Sequence, residues 1–329
     1  MIFSDYMNTL NVFSKKEILR LRMLEADFDE YNFDSPYDTL KEMLNVIGVP
    51  NNAHNVVFSD IKTFENHIIG DVDLNARGLH LFRRIMSYKV HKMRNCDETF
   101  LNHGMLTFRR FVLPEMHLHA LKEMEKFDIG MAKNADNIIS NTKKLDFPAI
   151  HYIIKTRMKN IILGIIRREL DDTTWRLYEQ NTYVQVIENI PGDNDNQKNM
   201  HLDTFFPAIK WWWFPEEVQT GGFVYYTRNC NPYVDMCNYQ YQSSIEASTN
   251  NYPDWKLKDH REGSFRINKD EMMNFGLFSY ATRQTIPANT LIVANVSGFH
   301  ARGEPRLNVT RRAIHGSIRV RNPFEVFHE

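Results

Sequence analysis

The hydrophobic period of this chain changes once, near residue 173, and that change limits the folds open to it. Before it, the apolar residues recur at helical spacing. Ser14-Lys15-Lys16-Glu17 has the spacing of a capping box, with Ile18, Leu19, Leu21 and Leu24 following as an apolar face. Ser35 and Pro36 open a second helix carrying Leu40, Met43, Leu44 and Ile47, which Gly48 and Pro50 end. A further helix is expected over 79–86. Residues 105–112 read as a short strand, and Leu113-Pro114-Glu115 opens a helix running to about Lys126. Ile153, Ile154, Met158, Ile161, Ile162, Ile165 and Ile166 form a stripe at period 3.6, predicting one long core helix over 150–169. After residue 173 the texture is β. Residues 183–187, 208–214, 222–227, 290–296 and 311–319 are strand-length runs separated by turn residues. Helices first and short strands last imply an antiparallel sandwich or barrel buttressed by helices. The polar stretch 230–273 lacks periodic signal and reads as a functional lid.

Composition removes several function classes. The 329 residues suffice for a sizeable core, and the formal net charge of −1 gives no global field for nucleic acid or an anionic membrane. No apolar run approaches a membrane span, and the N-terminus has no basic region followed by an apolar one, so a cytoplasmic protein is expected. Cys96, Cys230 and Cys237 are odd in number and scattered, which fits reduced thiols rather than a disulfide framework or a zinc ribbon.

Chemistry concentrates in two short segments. His201-Leu202-Asp203 follows a loop rich in Gly, Asn and Asp and precedes an aromatic run. In extended backbone, residues two apart point to the same side, so the imidazole and the carboxylate can converge on one ion. An H-x-D pair is a weak signal alone; His260-Arg261-Glu262 is another match, in a polar run that reads as a solvated loop. A third ligand raises the specificity. The apolar run 289–295 reads as a buried strand and leads through Ser297-Gly298-Phe299 to His300, with Gly298 letting the backbone bend. Two histidines and a carboxylate leave three adjacent positions open, the geometry of non-haem Fe(II) oxygenases, in which the cosubstrate takes two positions and dioxygen the third. Taken singly, His300 would more simply be a hydrogen-bonded core histidine.

Two arginines downstream of His300 change that balance. Arg311 and Arg312 lie eleven and twelve residues on, at the start of another strand. A 2-oxoglutarate chelating iron leaves its distal carboxylate buried, and arginine supplies the matching fork of donors. Alternation along a strand lets only one of the pair face inward. Arg302, Arg306, Arg319 and Arg321 read as a solvated basic face or as contacts for an anionic substrate.

These blocks resemble the phytanoyl-CoA dioxygenase family of Fe(II)/2-oxoglutarate oxygenases. HLDTFFPAIKWWWFPEEV with GGFVYYTRN is similar to the family's metal-binding strand and the aromatic strand and turn after it. ANTLIVANVSGFHARGEPRLNVTRRAIHGSIRVRNPF is similar to its distal-histidine and arginine strands, and FLNHGMLTFRRFVLPEMHLHALKEMEKF to its strand-then-helix opening. The resemblance covers about residues 99–329. It implies an α+β fold with a double-stranded β-helix (jelly-roll, cupin-like) core over 99–329, preceded by a helical extension over 1–98. It implies His201, Asp203 and His300 as ligands of Fe(II), 2-oxoglutarate and O2 as cosubstrates, and Arg311 as the 2-oxoglutarate arginine. Trp212 falls beside the cosubstrate, Lys210 and Phe214 share its face, and Tyr183 lines the same site. Trp211 and Trp213 read as core. Two departures stand out: the doubled Arg311-Arg312 and Thr227-Arg228-Asn229-Cys230, where the family has G-S-H. Family members that halogenate lack the carboxylate that Asp203 supplies here, so the resemblance implies C–H oxidation.

The expected activity is oxidation of a C–H bond in a small metabolite, by hydroxylation, desaturation or ring closure. The arginines near the C-terminus, with Lys210, hint at an anionic substrate group such as a carboxylate or an acyl thioester. Two other classes remain open: a cupin-like metalloenzyme that does not use 2-oxoglutarate, and a non-catalytic β-sandwich binding module.

Overall fold

The structure is a computed structural model describing residues 14–17, 19–20, 100, 103–125, 147–166, 183–189, 191, 198–203, 209–226, 265–267, 281–282, 285–296, 298–306 and 309–318. The elements in chain order are β1 (Met105–Arg109), α1 (Pro114–Glu125), α2 (Pro148–Ile153), a π-helical turn (Ile154–Met158) and α3 (Lys159–Ile166). Then come β2 (Tyr183–Asn189), β3 (Met200–Leu202), β4 (Ile209–Phe214), β5 (Phe223–Tyr226), β6 (Phe265–Ile267), β7 (Ala281–Thr282), β8 (Thr290–Asn295), β9 (His300–Arg302) and β10 (Val309–Ile318).

Among the described residues the strands form two five-stranded sheets, ordered β1-β8-β4-β10-β2 and β6-β3-β9-β5-β7. Every pairing is antiparallel, and the pairs are nested. β2 pairs with β10, β3 with β9, β4 with β8 and β5 with β7. The chain crosses between the sheets at β2–β3, β3–β4, β4–β5, β7–β8, β8–β9 and β9–β10, which brings residues a hundred positions apart onto facing walls.

β4 shows how the alternating pattern is used. Ile209, Trp211 and Trp213 bury their side chains with Leu291, Val293 and Ile314 against the helices. Trp212 and Phe214 face the opposite way, joining Ile292, Ala294 and Ala313 against Phe223 and Tyr225 of the second sheet. The far side of that sheet is also apolar, with Met200, Leu202, Val224, Tyr226, Ile267, Phe299 and Ala301 buried together. Gly316 lies opposite Trp211 in the β10–β4 register, and a Cβ there would stand 2.3 Å from the indole ring, so the bare backbone lets the tryptophan lie flat on β10.

The helical layer is tied together by polar contacts. Phe147 provides no side-chain cap for α2. The Glu123 carboxylate of α1 does so instead, accepting from the amides of Ala149 at 2.8 Å and Ile150 at 3.0 Å. The expected long helix is interrupted at 154–158, where the Lys159 amide donates back to the Ile154 carbonyl. At the start of this turn the Thr156 hydroxyl donates to the Tyr152 carbonyl at 2.7 Å, drawing on an acceptor of the regular ladder. The extra residue keeps Ile154, Met158, Ile162 and Ile165 all buried.

Ser14 and Glu17 form the reciprocal bonds of a capping box, although Leu19 beyond it is exposed. The helices expected at 35–47 and 79–86, residues 167–169, the three cysteines and His260-Arg261-Glu262 lie outside the described residues, as does most of 1–98 and of 230–273. Within the last stretch, Phe265–Ile267 is a strand that the pattern of residues did not reveal. No helix among the described residues is long and apolar enough to cross a membrane.

Gly298 lies at a backbone bend, as expected, and serves a second purpose as well. Its φ is not in the left-handed region, whereas Gly104 (φ 72°) and Gly221 (φ 69°) are. A Cβ on Gly298 would lie 2.2 Å from the Tyr225 hydroxyl, and one on Gly104 equally close. Tyr225 passes between the two glycines to donate to the Asn295 carbonyl at 3.0 Å, where β8 ends and the turn to β9 begins. Gly298→Ala is therefore expected to destabilise the fold by about 1–3 kcal/mol through overpacking. Tyr225→Phe should cost about 1 kcal/mol. In urea denaturation, the double variant should lose clearly less than the sum, because both changes break one contact.

Candidate metal centre

His201 and His300 are direct partners in the β3–β9 register, and their rings stand 4.4 Å apart between centroids. Directly opposed residues of an antiparallel pair point to the same face, here the space between the sheets. Asp203 is brought to them by its backbone, its amide donating to the Val296 carbonyl at 2.9 Å just past β8. His201 Nε2 lies 3.7 Å from Asp203 Oδ1, and His300 Nε2 lies 3.5 Å from Asp203 Oδ2. One ligand atom from each of the three residues falls within 4.8 Å of the others.

Both histidines are oriented by the same device. Nδ1 of His201 bonds the Asn199 carbonyl at 2.8 Å, and Nδ1 of His300 bonds the Gly298 carbonyl at 2.9 Å. A carbonyl only accepts, so each Nδ1 carries the proton and each Nε2 keeps its lone pair for an electrophile. Burial holds His201 well below the usual imidazole range, helped by His300 and Arg266 and opposed by Asp203. For Asp203, burial alone would raise the carboxyl; Lys210 and the two histidines outweigh it and hold it well below the usual carboxylate range. Lys210 Nζ approaches Asp203 Oδ2 at 2.5 Å, yet off the geometry of a hydrogen bond, leaving Oδ2 a buried acceptor without a well-aligned donor. Two imidazoles tied through Nδ1 to carbonyls and an ionised carboxylate, their ligand atoms converging, fit a divalent metal that accepts mixed nitrogen and oxygen ligands.

Around this group the walls are aromatic and basic. Trp212 lies 5.2 Å from His315, 6.3 Å from His300 and 4.7 Å from Phe223 between ring centroids. Phe223 stacks towards His300 at 5.9 Å. The doubled arginine divides by face. Arg311 points between the sheets with Ala313 and His315, is only 6% exposed, and lies 5.8 Å over the Phe214 ring. Its Nη1 donates to the Gly221 carbonyl at 3.3 Å, and its Nε has no hydrogen-bond partner among the described residues. Burial, and then the neighbouring Arg302, lower its pKa to about 9. Arg312 points the other way and pairs with Glu216 at 2.8 Å. Lys210 is brought to Asp203. Tyr183 opposes His315 in the β2–β10 register.

Three further residues face this interior. His315 lies four residues after Arg311 on the same face of β10, and Arg302 two after His300 on β9; alternation from those two neighbours would have found both. Arg266 opposes His201 from β6, a strand within the stretch that carries no periodic signal. Burial first, then Lys210, Arg311 and His300, hold His315 well below the usual imidazole range against the pull of Asp203.

No family model matches the chain, and no curated protein matches it in sequence. Solved structures do match in shape. HygX from Streptomyces hygroscopicus, crystallised with nickel, 2-oxoglutarate and hygromycin B, is 9% identical with a TM-score of 0.40, covering 67% of this chain and 84% of HygX. The epimerase SnoN, in complex with Fe3+, alpha ketoglutarate and nogalamycin RO, is 10% identical with a TM-score of 0.39, covering 70% and 83%. SnoK, a non-heme alpha ketoglutarate dependent carbocyclase from nogalamycin biosynthesis, is 10% identical with a TM-score of 0.36, covering 68% and 83%.

The buried histidines set the acid limit of the metal-free protein. Their folded-state pKa values are lowered, so below about 6.5 the unfolded chain binds more protons and stability falls with pH. Urea denaturation between pH 7 and 5 should show this loss, with each fully neutral histidine contributing up to about 1.4 kcal/mol per pH unit. His315→Gln should reduce the slope without abolishing it, since His201 remains.

Proposed function

We propose that this chain is a non-haem Fe(II)/2-oxoglutarate-dependent oxygenase oxidising a C–H bond of a small-molecule metabolite, with succinate and carbon dioxide as co-products. The observation carrying this reading is the convergence of His201, Asp203 and His300, with both Nε2 lone pairs aimed by backbone bonds to Nδ1. The nested pairing of β2–β10, β3–β9, β4–β8 and β5–β7 is the order a double-stranded β-helix requires, and supports that fold for the domain over 99–329.

In this reading His201, Asp203 and His300 hold Fe(II), which with bound 2-oxoglutarate supplies the activation of dioxygen. Arg311 binds the distal carboxylate of the cosubstrate through its guanidinium fork, and the Phe214 ring beneath it excludes water. Trp212 and Phe223 wall the cosubstrate side of the metal. Lys210 balances the outer oxygen of Asp203, keeping that carboxylate ionised while it is buried. His315, neutral and buried against Trp212, fills the wall without adding charge. The ionised Asp203 completes the ligand set and favours oxygenation over halogenation. Among the described residues, the cations Lys210, Arg302 and Arg311 face this interior, which supports an anionic group on the substrate.

The test is anaerobic titration of the Fe(II)-loaded protein with 2-oxoglutarate, followed by the visible charge-transfer band of the chelate. The band should appear in wild type, vanish in His201→Ala, and require about 10- to 100-fold more 2-oxoglutarate in Arg311→Ala, the loss of a charged hydrogen-bonded pair. Arg312→Ala should match wild type. No band in folded wild-type protein would sink the proposal.

A further inference from the structure

We infer that Lys210 is a positioning residue for the metal: by holding Oδ2 of Asp203 it leaves Oδ1 as the single oxygen of that carboxylate open to the ion. This inference rests on the metal-centre reading above and adds to it how many positions on the ion the protein itself takes.

The pair is assembled at the end of β8. The Asp203 amide donates to the Val296 carbonyl, and Lys210 opposes Ala294 in the β4–β8 register. Trp211 packs under the helices and Trp212 between the sheets, so alternation along β4 turns Lys210 to the same side as Trp212. From there the ammonium reaches Oδ2 at 2.5 Å. Of the charges acting on Asp203, that of Lys210 is the largest.

What the lysine prevents follows from the distances on the imidazole side. Oδ1 lies 3.7 Å from His201 Nε2, and Oδ2 lies 3.5 Å from His300 Nε2. Both oxygens thus stand near the space between the two imidazoles, and carboxylates bind metal ions through one oxygen or through two. An unrestrained Asp203 would clasp the ion with both. A metal ion and an ammonium on one carboxylate repel each other, least so when they take opposite oxygens. Lys210 therefore reserves Oδ2 and directs the ion to Oδ1. Two imidazoles and one oxygen leave three of six positions open; a second oxygen would leave two, which a chelating cosubstrate fills with no place for dioxygen.

The test uses Lys210→Met, which keeps the apolar stem and removes the charge, and Lys210→Arg, which keeps the charge. The probe is Mn(II) alone. Its affinity is read from the electron paramagnetic resonance of the free ion, and its open positions from the relaxation enhancement of water protons. In Lys210→Met the enhancement per bound ion should fall by about one third, from three open positions to two. The Mn(II) dissociation constant should stay equal or fall, since a repelling charge is lost and an oxygen ligand gained. Lys210→Arg should match wild type. Should the methionine variant not fold, Lys210→Gln, also neutral, decides the matter by the same two readings. An unchanged enhancement in the neutral variant would overturn the inference, as would weaker Mn(II) binding, the mark of a merely structural lysine. Wild-type protein that binds Mn(II) yet gives no 2-oxoglutarate band would leave this inference standing and defeat the cosubstrate reading alone. Wild-type protein that binds no Mn(II) would overturn both.

Discussion

Everything at the centre of this molecule depends on the register of β3 against β9. His201 and His300 are opposed residue for residue. A slip of one position would turn one imidazole out of the sandwich, into the apolar layer of Met200, Leu202 and Phe299. β3 and β9 are three residues long, too short to fix their own alignment by pairing alone. The alignment is held from outside. The Asp203 amide is tied to Val296, the Tyr226 amide to the Phe299 carbonyl, and the Tyr225 hydroxyl to Asn295, so the longer β8 dictates where β9 begins.

That dependence explains which parts of the site were legible in the sequence. Residues two apart in extended chain share a face whatever the rest of the fold does, so His201 with Asp203, and Lys210 with Trp212 and Phe214, could be placed together from spacing. Burial of Trp211 and Trp213 followed from the same rule. Which of Arg311 and Arg312 faces inward could not be read from the residues, since a doubled residue satisfies either phase. The structure separates them because Ala313 packs between the sheets while Ile314 packs under the helices. The partner of Lys210 was illegible too: one face can serve either a ligand or a neighbouring carboxylate, and only the crossing from β3 to β4 brings Asp203 within its reach. β6 escaped because three residues carry no measurable period. The π turn escaped because an apolar stripe looks continuous in sequence even where the helix gains a residue.

The interior also shows a division of labour between charge and apolar surface. The helix-facing side of the first sheet is apolar and close-packed, with Phe111 edge-on to Trp213 at 5.6 Å between ring centroids. The space between the sheets holds an unusual concentration of polar groups for its burial: His201, His300, Arg302, Arg311 and His315 are all under a tenth exposed. Buried groups of this kind lower stability unless they are matched. Stability is thus supplied by one layer and chemistry accommodated in the other, with β4, β8 and β10 as the partition between them.

Glu123 carries a consequence for how the molecule can vary. By accepting from both Ala149 and Ile150, its carboxylate fixes the start of α2 to α1 through space, without reference to the chain that links the two helices. The seam between them is closed at its base, like a loop drawn through a ring. Loss of that carboxylate would leave two amides at the start of α2 unmet and would loosen the apolar layer to which Ala120 and Met124 of α1 and Ile150 and Ile153 of α2 all belong.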